Sequence, residues 1–334
     1  MKKERESEAK VSRRQFFGTA AAALSVIPLR PAAASPISIM ADKPNSNFGG
    51  VQIGAITYSW RSMPTTPDDI IRYCLQAGIS SLELMGNVAE DYAGAPSGPP
   101  RPQRGADLTE EQRAAFKKAA AEAAEARRKW RVSMPIEKYV ELRGKFKDAG
   151  IDIHIAKFSP ATWSDEEIEY SFKAAAALGA KGICNEIGED ACKRLSPFAE
   201  KHKMYAIFHQ HRQPADPAFS FEKFLAYSPA IMLNFDAGHY FGCTGLHPNR
   251  VIEKLHDRII SLHIKDLTGP KGTPPDTNQV WGKGETPIAD ILKLIQKQKW
   301  PIYCDIELEY EVPADSDASK EVKKCVDFAK AILI

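Results

Sequence analysis

Residues 151–187 read IDIHIAKFSPATWSDEEIEYSFKAAAALGAKGICNEI. Two short apolar runs, 151–158 and 181–187, flank one helical pattern. Ser164, with a glutamate three residues later, has the spacing of a capping box at the start of that helix, and Gly179 is a stop signal at its end. A strand, a helix and a second strand of these lengths form the unit from which parallel sheets are built.

The same alternation continues along the chain from residue 51. Each apolar run is nearly continuous and rich in Ile and Val, which is typical of strands buried on both faces. The eight runs are residues 51–60, 80–86, 151–158, 181–187, 204–211, 231–239, 259–267 and 301–309. The helical patterns with clear signals are residues 67–78, 164–179, 247–258, 287–299 and 316–332. Eight such units predict a single (β/α)8 TIM barrel, with a doubly wound sheet as the alternative.

One stretch after the second strand departs from this pattern. Residues 87–106 are rich in Pro and Gly and are predicted to be irregular. Helices are predicted over 108–131 and 135–149, before the third strand. The sequence therefore predicts an inserted loop and helix, which is either a surface elaboration or a lid over the strand ends.

The first 34 residues have the layout of a signal peptide. A basic start precedes Ser12-Arg13-Arg14-Gln15-Phe16-Phe17, and a short apolar stretch then leads to an Ala-x-Ala site that ends at Ala34. This is a twin-arginine signal, so the sequence predicts recognition by the twin-arginine export machinery and a periplasmic or other extracytoplasmic location. The predicted division is a signal peptide over 1–34, a linker over 35–50 and a barrel over 51–334.

The charge balance argues against nucleic acid as a partner. The whole chain has a net charge of +2, and residues 1–34 contribute +4 through seven Lys/Arg and three Asp/Glu, so the remainder carries about −2. A nucleic-acid-binding domain needs a basic surface. Homo-oligomers are a possible state for a barrel of this kind.

Polar residues collect where the predicted strands end. In a TIM barrel the carboxyl ends of the strands form the active-site face. The residues at these ends are Glu83, Glu186, His209, His211, Asp236, His239, His263, Lys265, Asp266, Glu307 and Glu309. Buried carboxylates and imidazoles are costly unless they are paired or bind a metal. Oxygen and nitrogen ligands without thiolate suit Mn, Zn, Co, Mg or Fe(II), so a divalent metal is the predicted cofactor.

Several of these residues also have simpler interpretations. Lys265 and Asp266 can form a surface ion pair, and His239 can cap the helix after the sixth strand. Glu309 can point outward. His154, in the middle of the third strand, is predicted to be a core histidine with its hydrogen bonds satisfied.

Four motifs resemble those of the sugar phosphate isomerase/epimerase superfamily, the xylose isomerase-like barrels. They are NFDAGHYFGCTGLHP (234–248), RIISLHIKD (258–266), GKGE (282–285) and KWPIYCDIELE (299–309). The resemblance covers about residues 51–332 and implies a TIM barrel that binds a divalent metal and a small carbohydrate.

The resemblance implies a ligand set of Glu, Asp, His and Glu from strands five to eight. Asp236, His263 and Glu307 match the last three of these ligands. At the strand-five position His209 stands where the epimerases have Glu. Glu186, one strand earlier, is the alternative source of a carboxylate ligand, so the choice between Glu186 and His209 stays open.

This departure favours a lyase or a one-sided isomerase over a symmetrical epimerase with two glutamates. The resemblance implies removal of a proton next to a carbonyl of a ketose or a 3-keto sugar or glycoside, with a histidine as base and Lys265 steadying the oxyanion. Glu83 and His239 are predicted to contact the substrate. The predicted catalytic residues are His209, His211, Lys265 and Glu307.

The same residues leave two other functions as alternatives. One is a non-catalytic barrel protein that binds sugars, since a fold does not guarantee chemistry. The other is a phosphodiesterase or abasic-site endonuclease. It is disfavoured because those enzymes hold three zinc ions and need more histidines than the strand ends offer.

Overall fold

The computed structural model describes residues 43–100 and 107–334. Its barrel strands are β1 (Val51–Ile56), β2 (Ser81–Met85), β3 (Asp152–Lys157), β4 (Gly182–Glu186), β5 (Tyr205–His209), β6 (Ile231–Asp236), β7 (Ile259–Ile264) and β8 (Tyr303–Ile306). Each strand pairs in parallel with the next along the chain, and β8 pairs with β1. The predicted barrel is confirmed, and the doubly wound alternative is wrong because the sheet closes on itself.

The predicted signal peptide and residues 35–42 of the predicted linker lie outside the described residues, so export stays a prediction. A search of the described residues finds no helix with the length and apolar character that a membrane span requires.

The helices of the described residues fall between and after the strands. They are α1 (Pro67–Ala77), α2 (Gly86–Ala93), α3 (Glu110–Ser133), α4 (Glu137–Asp148), α5 (Asp165–Leu178), α6 (Glu189–His202), α7 (Phe221–Leu225), α8 (Ala237–Thr244), α9 (Asn249–Leu255), α10 (Ile288–Gln298) and α11 (Ala318–Leu333). The capping box at the start of α5 is present, and Gly179 ends that helix in the left-handed conformation with a φ of 80°. Local sequence signals therefore fix the ends of this helix.

The prediction that residues 87–106 are irregular is wrong for their first part. Residues 87–93 belong to α2, while 94–100 are irregular and 101–106 lie outside the described residues. Gly94 ends α2 with a φ of 90°. The Pro and Gly residues begin only there, and averaging composition over the whole stretch hid a helix that buries Val88 and Ala89.

Helix α3 buries none of its residues fully, and a side chain near its end, Arg131, connects it to two other helices. Arg131 donates two hydrogen bonds to Glu90 of α2, at 2.7 and 3.1 Å, and one to Glu167 of α5, at 2.9 Å. Its guanidinium also stacks over the ring of Trp163, 3.5 Å from the centroid. This network joins three helices around one partly buried guanidinium.

The interior of the barrel changes from apolar to polar along the strands. Every second residue of a strand points to the same face, so Met232, Asn234 and Asp236 follow one another inside β6. An apolar layer is formed by Ile155, Cys184, Ile207, Met232 and Ile260. His154 is buried, and both of its ring nitrogens have hydrogen-bond partners, as predicted for a core histidine. Nδ1 is 2.8 Å from Ser81 Oγ, and Nε2 is 2.8 Å from Asp305 Oδ2.

The close approach of Gly54 to Asp305 gives a stability prediction. A Cβ at Gly54 would lie 2.0 Å from Asp305 Oδ1, whereas a Cβ at Gly144 on α4 would meet nothing within 4 Å. We expect Gly54→Ala to lower the free energy of unfolding by about 1–3 kcal/mol through overpacking. As the control, Gly144→Ala should raise it by about 0.5–1 kcal/mol. Urea unfolding measures both, and equal effects would contradict the close approach.

Candidate functional site

Four polar side chains converge at the carboxyl ends of β5 to β8. His209, Asp236, His263 and Glu307, called the central group below, offer one ligand atom each, and these atoms all lie within 4.8 Å of one another. Each of the four residues is at most 6% exposed. The neighbouring strands bring them together, since Asp236 is paired in register with His263.

The donor set of the central group fits a divalent metal. Two imidazoles and two carboxylates supply nitrogen and oxygen ligands without thiolate. His209 is 1% exposed, and its Nδ1 has no hydrogen-bond partner in the described part of the chain. Burial and the nearby His263 and Lys157 hold the pKa of His209 well below its usual value. A neutral imidazole is the form that binds metals.

Asp236 is oriented by the start of α8. Its Oδ1 accepts a hydrogen bond from the backbone N–H of His239 at 2.7 Å, which is an N-cap. Its Oδ2 is left to face the central group, 3.9 Å from His209 Nε2 and 4.0 Å from His263 Nδ1. The aspartate thus ends β6, begins α8 and presents one oxygen to the site.

His263 is held from both ring nitrogens. Nδ1 faces Glu307 Oε2 at 2.7 Å, and Nε2 faces Glu83 Oε2 at 2.7 Å. Asn234 Nδ2 donates to the same Glu83 oxygen at 2.7 Å. Burial alone would lower the pKa of His263, but the carboxylates of Glu307 and Glu83 raise it well above its usual value. Glu83 is fully buried, so it lies behind His263 and not on an open surface.

Lys265 is a buried cation beside the central group. Its Nζ lies 2.9 Å from Asp236 Oδ2, 2.6 Å from Glu307 Oε2 and 2.7 Å from Glu309 Oε2. Burial opposes its charge, but these carboxylates raise the pKa of Lys265. Burial also opposes the charge of Glu309, whose pKa is lowered to about 2 by His239 and Lys265. Glu309 therefore points into the site and not outward.

Asp266, the next residue, has a different role. Its Oδ2 accepts hydrogen bonds from the backbone N–H groups of Gly282 and Gly284 at 2.8 and 3.0 Å, and its Oδ1 accepts one from Thr286 at 3.1 Å. These bonds hold the GKGE segment. Lys265 and Asp266 are both 2% exposed, so the interpretation of a surface ion pair is wrong.

Glu186 lies outside the central group, in a cluster with two other polar residues. Its Oε1 accepts a hydrogen bond from Lys157 Nζ at 2.9 Å, and its Oε2 is 3.0 Å from His211 Nδ1. Burial opposes ionisation, but His211 and Lys157 lower the pKa of Glu186 to about 2. His209 adjoins both clusters, because its ring centroid is 4.6 Å from that of His211.

The second imidazole at the rim, His239, also has a carboxylate partner. His239 Nε2 is 3.4 Å from Glu309 Oε2. The ring centroids of His239 and His211 are 5.1 Å apart. Two imidazoles, each beside a glutamate, therefore lie together at the carboxyl-end opening of the barrel, called the mouth below. The side chain of His211 is 46% exposed there.

Sequence reasoning missed two residues of this region. Lys157 ends β3 and was detectable by the same rule that selected the other strand ends. Asn234 lies two residues before Asp236, so strand alternation places it on the same face. Its hydrogen bond to Glu83 depends on a partner 151 residues away, which no local pattern specifies.

The comparisons with known proteins support the fold. Searches found no family model and no curated protein that matches the sequence. Among solved structures, the probable 3-DHS dehydratase AsbF involved in petrobactin synthesis from Bacillus anthracis matches with a TM-score of 0.56 and 13% identity over 83% of this chain and 98% of that chain. The two chains share the TIM-barrel fold.

Two further barrels of this fold support that assignment. A sugar phosphate isomerase/epimerase from Parabacteroides distasonis matches with a TM-score of 0.53 and 17% identity over 91% of this chain and 100% of that chain. A D-psicose 3-epimerase in the presence of D-fructose matches with a TM-score of 0.53 and 10% identity over 85% of this chain and 99% of that chain. At these identities the likeness establishes the fold alone.

The contact between Glu186 and His211 predicts how His211 titrates. Hydrogen bonding to Glu186 raises the pKa of His211, with burial opposing it. In Glu186→Gln we expect this pKa to fall, because the amide carries no negative charge. The titration of the His211 ring protons by NMR measures the change. Glu189→Gln is the control, since Glu189 contacts Lys193 and Lys223 instead, and an equal fall there would contradict the assignment.

Proposed function

We propose that the protein is a divalent-metal-dependent enzyme that removes a proton next to a carbonyl of a ketose or of a 3-keto sugar or glycoside. One observation carries this proposal: two imidazoles, each beside a carboxylate, border a buried group of four metal-type ligands. Proton transfer next to a carbonyl needs a base in reach and a stabiliser for the developing negative charge.

The central group would hold the ion through His209, Asp236, His263 and Glu307. When bound, the ion would polarise the carbonyl oxygen of the substrate. In this proposal His209 supplies the fourth ligand, because it lies within 4.8 Å of the other three while Glu186 is engaged by Lys157.

His211 is the proposed base. Contact with Glu186 at its Nδ1 orients the ring and leaves Nε2 free to take a proton. Glu186 is then a positioning residue, and Lys157 keeps it in place. An imidazole is suited to this work because its usual pKa lies near neutral pH.

His239 and Lys265 complete the proposed arrangement. His239, held by Glu309, lies beside His211 at the mouth and can return a proton or donate one to a leaving hydroxyl. Lys265 places a positive charge where an oxyanion forms. Return of the proton gives an isomer or epimer, and loss of the leaving group gives an unsaturated ketone. The structural neighbours include both an epimerase and a dehydratase.

We also propose that the enzyme acts outside the cytoplasm, after recognition of residues 1–34 by the twin-arginine machinery. Glycosides are more accessible there than phosphorylated sugars.

Solvent exchange tests the reaction. We expect the Mn²⁺-loaded protein, in deuterated water, to incorporate deuterium next to the carbonyl of a 3-keto glycoside or a ketose, and a chelator to stop it. His211→Asn should slow exchange by about 100-fold or more, since general base catalysis contributes that much. His256→Asn is the control, because His256 packs against Trp300 before β7 begins. Saturable sugar binding without any exchange would support the non-catalytic alternative instead.

A second prediction concerns Glu83. In this proposal His263 would hold the ion through Nδ1, while its Nε2–H donates to Glu83. Removing such an outer carboxylate typically weakens metal binding by about 10–100-fold. We therefore expect Glu83→Gln to weaken Mn²⁺ binding by that factor in calorimetry.

The control is Glu321→Gln. Glu321 is another fully buried carboxylate. It accepts hydrogen bonds from the hydroxyl groups of Tyr310 and Ser316, which do not belong to the central group. If both variants bound Mn²⁺ like the wild type, Glu83 would have no part in orienting His263.

A further inference from the structure

The contacts of Lys265 involve the same oxygens that a metal would use. The ammonium lies 2.9 Å from Asp236 Oδ2 and 2.6 Å from Glu307 Oε2. These two oxygens also face His263 Nδ1, at 4.0 and 2.7 Å. A cation bound by the central group would therefore share its carboxylate oxygens with the lysine.

Such sharing is unfavourable because the ammonium of Lys265 and a cation on the same oxygens would repel each other. The repulsion is large here, since Lys265 is only 2% exposed and Asp236 is fully buried, so little water screens the charges. If a divalent ion entered, the ammonium would therefore have to loosen its contacts with Asp236 and Glu307.

Glu309 gives the ammonium another partner. It accepts a hydrogen bond from Lys265 Nζ at 2.7 Å and does not belong to the central group. Its side chain is 21% exposed, while that of Glu307 is 7% exposed, so Glu309 lies nearer the open mouth. A small movement toward Glu309 would keep the ammonium paired and release the two inner oxygens.

We propose that Lys265 is a built-in competitor of the metal, and that Glu309 is the anchor that draws it away when the metal binds. This inference rests on the proposed function, because it takes the central group to be a metal site. Lys265 then sets the metal affinity of the site and keeps the ion exchangeable. The same movement brings the ammonium toward the mouth, where a substrate oxygen arrives.

Calorimetric titration of Mn²⁺ into the chelator-treated full chain tests the competition. We expect Lys265→Met to bind Mn²⁺ about 10- to 100-fold more tightly, because a unit charge within a few ångströms is removed. Lys157→Met is the matched control. It also removes a lysine near the mouth, but the ammonium of Lys157 pairs with Glu186, whereas that of Lys265 pairs with Asp236 and Glu307 of the central group. We expect the change in Mn²⁺ affinity caused by Lys157→Met to be about tenfold smaller, because greater distance and solvent screening weaken the effect of its charge.

A double-mutant cycle tests the role of Glu309. In the wild-type background Glu309→Gln should weaken Mn²⁺ binding, since Lys265 then has only Asp236 and Glu307 as partners. In the Lys265→Met background the same change should have a much smaller effect, because no ammonium needs an anchor. A simple loss of negative charge would weaken binding equally in both backgrounds, and that result would overturn the proposal.

The outcomes separate this inference from the proposed function. If the wild type binds Mn²⁺ and Lys265→Met binds it no more tightly than Lys157→Met does, the competition is refuted while the metal site stands. If neither the wild type nor Lys265→Met binds Mn²⁺, both proposals fail. Circular dichroism of each variant confirms folding. Lys265→Met is expected to strengthen Mn²⁺ binding and Glu309→Gln to weaken it. A general loss of structure cannot produce both results.

Discussion

Buried negative charge is the constraint around which the mouth of this barrel is arranged. Asp236 is fully buried, Glu307 is 6% exposed, and Glu309 lies beside them. An isolated carboxylate in such a place is strongly destabilising, so each must be paired or must bind a cation. Lys265 contacts all three and is itself buried. Two of these carboxylates have a second task, since Asp236 caps α8 and Glu307 faces Nδ1 of His263.

The rim of the mouth follows a second rule, in which carboxylates position imidazoles. Glu186 contacts His211, and Glu309 contacts His239. In the epimerases that the sequence resembles, two glutamates carry the protons themselves. In the proposed reaction of this protein the proton carriers are histidines, and the glutamates orient them. Histidine changes its charge near neutral pH, so a carboxylate partner sets both the direction of the ring and its affinity for the proton.

Much of the fold was predictable because the signals for it are local. The apolar runs locate all eight strands, and the capping box of Ser164 locates one helix end. The list of strand ends contains the whole central group, because parallel strands bring their carboxyl ends to one face. Which atoms face one another was not predictable. Glu83 was expected to contact substrate, yet it is fully buried behind His263, through a contact between residues 180 positions apart.

The histidine at the end of β5 changes the charge balance of the mouth. The resemblance implies three carboxylates and one histidine around the metal of the epimerases. The central group here has two of each, so with neutral imidazoles its two negative charges match a divalent ion. Lys265 carries one positive charge and Glu309 one negative charge. When these two pair with each other, they leave the charge balance between the two carboxylates and the ion unchanged. When Lys265 instead turns to Asp236 and Glu307, it stabilises those buried carboxylates in the absence of an ion. In the proposed competition, a lysine between Glu309 and the two inner carboxylates therefore keeps the buried charges paired with and without an ion, which would explain a buried lysine in a candidate metal site.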